Sequence, residues 1–125
     1  MTKKILVVDD QPTIRSARAL AIRRAGYHVD EASSGIDALK LFIAENYDVI
    51  LMDYDMPFMN GPECAQKIRE YETGTANKSI IIGVTSSVDQ SMQDKCLTAG
   101  MDTYMDQATS PEVLQQLVKE WELMA

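Results

Sequence analysis

Basic residues are scarce relative to acidic ones: 12 Lys and Arg stand against 19 Asp and Glu, giving a formal net charge of -7. Binding to a phosphate backbone needs clustered Lys and Arg to release counterions, so this balance argues against direct contact with nucleic acid. Long hydrophobic runs are also missing. No stretch approaches the roughly 18 apolar residues that span a bilayer, and the few between Lys4 and Asp9 are too short for a secretory signal core. The expectation is a cytoplasmic chain with no membrane partner. Cysteine is confined to Cys64 and Cys96, which fit no CxxC or metal-ligand spacing and read as reduced, partly buried thiols without chemistry. The single histidine, His28, opens a weak apolar run with no evident partner and reads as a surface residue. A Gly-rich phosphate loop, an HExxH pair and a nucleophile elbow are all absent from the sequence, which sets those chemistries aside.

What is present is the composition of a globular domain, 46% hydrophobic and 25% charged, so neither disorder nor a fibrous repeat is expected. A chain of 125 residues has the size of one domain, expected over 1–125. Short apolar runs rich in β-branched residues occur at Ile5 to Val8, Val49 to Met52 and Ile80 to Val84, near-continuous as buried parallel strands require. Weaker runs lie at His28 to Ala32 and Met101 to Met105. Between them the period lengthens. Ile14, Ala17, Ala21 and Ala25 form one helical stripe, and Leu114, Leu117, Val118 and Trp121 form another, with Trp121 assigned to the core rather than to a surface patch shared with Leu123 and Met124. Pro12 suits a first helical turn, Gly26 and Gly100 suit helix ends, and Ser110-Pro111 reads as an N-cap followed by a first-turn proline. Five strands alternating with five helices predict an α/β domain with a parallel sheet.

Ligands of such sheets bind beyond the carboxyl ends of the strands, so the residues just after each apolar run carry the functional information. The first strand ends in Asp9-Asp10, the third in Asp53 and the fourth in Thr85-Ser86-Ser87. A lone Asp after a strand is most often a turn or capping residue. Three acids from two strand ends weaken that reading, because converging carboxylates repel one another and call for a small oxygen-seeking cation such as Mg2+. A carboxylate nucleophile beside Mg2+, forming an aspartyl-phosphate, is the chemistry that fits.

The stretches KILVVDDQPTIR, DVILMDYDMPFMNGPECAQKIR, IIIGVTSS and AGMDTYM resemble the response-regulator receiver family, and the resemblance runs over nearly the whole chain. It implies a flavodoxin-like doubly wound sheet of five strands in the order 2-1-3-4-5 with five helices. It further implies Asp53 as phosphoacceptor, Asp10 as a direct Mg2+ ligand and Asp9 as an acid acting through metal-bound water, with the backbone carbonyl of Asp55 completing the metal site. Thr85 matches the switch hydroxyl and Tyr104 the switch aromatic; Met56-Pro57 and Asn60-Gly61 match the following loop, where a glycine is expected to permit a backbone turn. One position departs from the pattern. Three residues beyond Tyr104, where the family has a lysine usually followed by proline, this chain has Gln107-Ala108, so the site is expected to have lost a cation and to couple phosphorylation to shape more weakly.

The implied function is a switch in a two-component phosphorelay that takes a phosphoryl group from a histidine kinase or a histidine phosphotransfer protein and changes its affinity for a downstream protein. The face made by the fourth helix, fifth strand and fifth helix would meet that partner. An alternative, favoured by Gln107, is an atypical receiver acting as a phosphorylation-independent interaction or dimerisation module, with a homodimer as one form. Neither reading is a turnover enzyme on a separate substrate. A Mg2+-dependent phosphatase built on Asp53-Tyr54-Asp55 ranks low, since no cap segment and no strand-end lysine is present to hold a substrate phosphate. Met1 followed directly by the first strand favours a stand-alone regulator over an excised domain.

Overall fold

The computed structural model describes residues 3–75, 78–86 and 89–123. Strand β1 (Lys4–Val8) leads to α1 (Pro12–Arg24), β2 (His28–Ala32) to α2 (Gly35–Ala44), β3 (Val49–Asp53) to α3 (Gly61–Glu72), β4 (Ile80–Thr85) to α4 (Gln90–Thr98), and β5 (Thr103–Asp106) to α5 (Pro111–Glu122). All four strand pairings are parallel, and the sheet order is β2-β1-β3-β4-β5. This is the order and the count of elements that the resemblance implies. The two weak apolar runs are edge strands β2 and β5, which need less hydrophobic sequence because only one side of each is paired.

Side chains of successive strand residues point to opposite faces, and each face of this sheet carries its own core. Leu6, Val8, Ile50, Met52 and Ile81 pack with Ala38 and Phe42 of α2, Cys64, Ala65 and Ile68 of α3, and Cys96 of α4. Ile5, Val7, Val49, Leu51, Ile82 and Val84 pack with Ala19 and Ile22 of α1 and Leu114 and Val118 of α5. Trp121 is partly buried against this second cluster, as the helical stripe predicts, whereas Leu123 is 74% exposed; Ser87 and Met124 lie outside the described residues. Both cysteines are buried and free, and burial pushes the Cys64 thiol up to about 12.

The stripe expected on α1 is displaced. Ala17 and Ala25 are exposed and Ile14 is half-buried, while the buried face runs through Arg18, Ala19, Ala21 and Ile22. The physical reason is that an ion pair, described below, lets the Arg18 side chain turn inward; Ile14 and Ala17 instead border a groove shared with Pro111 and Leu114. Helix starts follow the expected chemistry. Pro12 and Pro111 sit in first turns, Ser110 Oγ accepts from Val113 N–H, and Asn60 with Glu63 forms a reciprocal capping box. Gly26 and Gly100 close α1 and α4 at φ of +99° and +101°.

Far from the carboxyl ends of the strands, Arg69 ties α3 to the start of β4 and the turn before β5. Its guanidinium donates to Asp102 Oδ2 at 2.7 Å, to Glu72 Oε1 at 2.6 Å, and to the carbonyls of Ser79 and Gly100 at 2.7 and 2.9 Å. No motif in the sequence marks this network. It leaves the opposite end of the sheet free to carry chemistry.

Candidate functional site

Strand register brings the acids together. Val8 stands opposite Met52, so Asp9, the next residue, comes level with Asp53, the last residue of β3. One carboxylate oxygen from each of Asp9, Asp10 and Asp53 lies within 4.8 Å of the others. Asp9 is 3% exposed, while Asp10 and Asp53 are half-buried. Asp53 pairs with Val84, which places Thr85, 2% exposed, one residue further along the neighbouring strand. Thr85 in turn stands opposite Asp106, and its carbonyl accepts from Gln107 N–H at 2.9 Å. The end of β5 is thereby fastened to the end of β4 beside the acids.

Crowding has an electrostatic consequence. The Asp53 carboxyl is pushed from 3.8 up to about 7, first by burial and next by the charge of Asp9, with Asp10 and Asp55 adding to the rise and Arg18 opposing it. Three converging carboxylates are a donor set of hard oxygens on one sheet edge, which suits a divalent cation. Asp55 is exposed in the loop after β3.

Asp9 is both a turn residue and a member of the cluster. Its Oδ1 accepts from Gln11 N–H at 2.9 Å, which supports the entry into α1, and its Oδ2 accepts from Arg18 at 2.7 Å. The Arg18 residue is only 9% exposed, and its second terminal nitrogen donates to the Gln107 carbonyl at 3.4 Å. Arg15 donates to the Asp9 carbonyl at 3.0 Å from the same helix. The sequence pattern predicts a site without the lysine cation at position 107; the structure shows a different cation beside the acids, the Arg18 guanidinium, which reaches Asp9 from α1. A charged residue within a helix is ordinarily assigned to solvent, so only the spatial nearness of Asp9 could have revealed it.

The loop after Asp53 also differs from expectation. Gly61 does not serve a left-handed turn: a Cβ there would stand 2.4 Å from the Asp53 carbonyl oxygen and 3.0 Å from Tyr54 Cα, so glycine is required for close approach to the strand end. The left-handed residue is Phe58, at φ 68° and 99% exposed. Tyr104 is half-buried against the first core cluster. His28 is a surface residue as expected, although it has a neighbour, Asp30 Oδ1 at 3.6 Å.

The family model of the response regulator receiver domain matches residues 5–119. The chain belongs to this family. Among curated proteins the receiver is 34% identical over 119 residues to the CAI-1 autoinducer sensor kinase/phosphatase CqsS of Vibrio cholerae, covering 95% of this chain and 17% of that protein. It is 33% identical over 112 residues to the sensor histidine kinase RcsC of Escherichia coli, covering 90% of this chain and 11% of that protein. The receiver thus spans a small part of the length of these relatives. Among solved structures, Vibrio cholerae chemotaxis protein CheY4 superposes with a TM-score of 0.89 at 26% identity, covering 96% of this chain and 98% of that one. The fold is the CheY-like flavodoxin fold, and the chain is a receiver domain of two-component signalling. No helix among the described residues is long and apolar enough to cross a membrane.

Proposed function

We propose that this receiver, a single domain over 1–125, accepts a phosphoryl group on Asp53 from a phosphohistidine. The donor is a histidine kinase or a histidine phosphotransfer protein, in keeping with the sensor kinases among its relatives. The observation that carries the reading is the position of Asp53, at a strand end, with carboxylate oxygens of Asp9 and Asp10 within 4.8 Å. An Asp53 oxygen attacks phosphorus, the bond from phosphorus to the imidazole nitrogen breaks, and the departing imidazole takes up a proton. Asp9, Asp10, Asp53 and the backbone carbonyl of Asp55 are the groups that would hold Mg2+. When bound, Mg2+ neutralises charge on the transferring phosphoryl oxygens. Thr85 supplies the switch hydroxyl and Tyr104 the aromatic that follows it, and Gln107 contributes a neutral amide where the family has lysine. The change is read by a downstream protein on the face of α4, β5 and α5. The receiver's part is acceptance and signalling rather than turnover of a separate substrate. A cytoplasmic setting belongs to the same proposal, supported by two buried free thiols.

The test is transfer of labelled phosphoryl from a histidine-phosphorylated kinase or phosphotransfer protein with Mg2+ present. Label should move to the receiver and should not move to Asp53→Asn. Label retained by the donor, with every cognate candidate tried, favours the second reading, an interaction or dimerisation module independent of phosphorylation, for which Gln107 speaks. Sedimentation with and without phosphodonor then distinguishes a constitutive dimer from a monomer.

A further inference from the structure

A buried arginine on the sheet-facing side of α1 asks for an explanation. An apolar residue of similar volume would pack there without the cost of removing a guanidinium from water, which pairing only partly offsets. Arg18 is held by two contacts, the 2.7 Å bond to Asp9 Oδ2 and the 3.4 Å bond to the Gln107 carbonyl. One partner belongs to the acid cluster and the other is the residue where the family's lysine is missing. The guanidinium therefore spans the two places that a lysine at 107 would connect. Asp9 needs only one of its two oxygens for Arg18, since Oδ1 is engaged by Gln11 N–H, and Arg18 has further N–H groups beyond those two bonds.

We propose that Arg18 is this receiver's phosphoryl-binding cation, serving from α1 the charge role that Gln107 cannot, and that its bond to the Gln107 carbonyl carries the state of the acid site to the β5–α5 junction. The proposal rests on the phosphoacceptor reading above. With no phosphoryl group present, Arg18 neutralises Asp9 and competes with a metal for that carboxylate. With a phosphoryl group on Asp53, the guanidinium has a second anion to bond, and charge-assisted bonds to phosphoryl oxygens are its strongest available contacts. Any movement of Arg18 toward that group pulls on or releases Gln107, whose N–H is bonded to Thr85. The charge and the switch are linked through one side chain.

Calorimetric titration with Mg2+, and with beryllofluoride at saturating Mg2+, tests the proposal on the parent, Arg18→Gln, Gln107→Lys and the double variant. Arg18→Gln keeps amide donors but removes the charge. It should tighten Mg2+ binding severalfold, because the pocket becomes more negative, and weaken beryllofluoride about tenfold, because a charged donor is replaced by a neutral one. Adding Gln107→Lys should restore most of the beryllofluoride affinity. The opposite signs separate a charge role from a purely structural one, which would weaken both ligands together. Beryllofluoride affinity that is unchanged in Arg18→Gln, a joint loss of both ligands, or failure of the lysine to rescue would overturn the proposal. If Arg18→Gln does not fold, the parent itself decides: the Arg18 Nε–H resonance must move on addition of beryllofluoride beyond its position with Mg2+ alone, and a resonance that stays put overturns the assignment. A parent that binds no beryllofluoride would instead remove the phosphoacceptor reading on which the proposal rests.

Discussion

Replacing Asp53 by Asn removes one carboxylate from a crowded cluster while keeping its shape, and its effect on stability should change with pH. The folded Asp53 carboxyl is raised from 3.8 to about 7 by burial and by its acidic neighbours. Between those values the folded state holds a proton that the unfolded chain has released. The stability due to this group is therefore present below about pH 4, falls as pH rises toward 7, and stays low above it. A fully dry carboxyl displaced this far would represent about 4 kcal/mol. Asp53 is half-open to water, and solvent screening reduces the figure to roughly 1 to 2 kcal/mol. Asp53→Asn should thus be more stable than the parent by about that amount at pH 8, equivalent to roughly 4 to 8 °C in Tm, and nearly equal to it at pH 4. Urea unfolding at the two pH values, compared at equal m, is the assay. Mg2+ should reverse the ranking: at about a hundredfold over its Kd it adds roughly 2.7 kcal/mol to the parent and less to the variant. An Asn variant that is less stable than the parent at pH 8 without metal, or whose advantage is the same at both pH values, would refute the reasoning.

Three further substitutions probe the strands and the loop near the site. Gly61→Ala puts a Cβ against the backbone of Asp53 and Tyr54 and is expected to cost about 2 to 3 kcal/mol, whereas Gly83→Ala clashes with the flexible Met101 side chain, Sδ at 2.6 Å, and touches Cys96 Sγ at an ordinary 3.5 Å, and should cost under about 1.5 kcal/mol; urea midpoints give the order. Phe58→Asn replaces a fully exposed aromatic held at φ 68° by a residue that tolerates the left-handed region, so stability should rise by up to about 1 kcal/mol, measured by the same unfolding curves.

Much of this molecule is legible along the chain because parallel strands buried on both faces leave continuous apolar runs, and β1, β3 and β4 do so. The edge strands β2 and β5 leave only the weaker runs His28 to Ala32 and Met101 to Met105, and the second begins two residues ahead of its strand. The acids were legible for a different reason: residues that follow strands in a parallel sheet share one edge, so Asp9, Asp10 and Asp53 converge by topology before any coordinate is known. What periodicity hides is a charged residue facing inward. Arg18 breaks the apolar stripe of α1, and its partners lie 9 and 89 residues away in sequence, too distant for any local pattern. Gly61 shows a second blind spot. Glycine near Asn suggests a turn, but the demand here comes from the carbonyl of Asp53, which the local sequence cannot register.

The central claim, that Asp53 is the phosphoacceptor, is tested most directly by intact mass after treatment with acetyl phosphate and Mg2+. The account predicts a gain of one phosphoryl group on the parent, lost on chelation of the metal during the reaction and absent from Asp53→Asn. A parent that gains nothing, or an adduct that forms equally on Asp53→Asn, would contradict it.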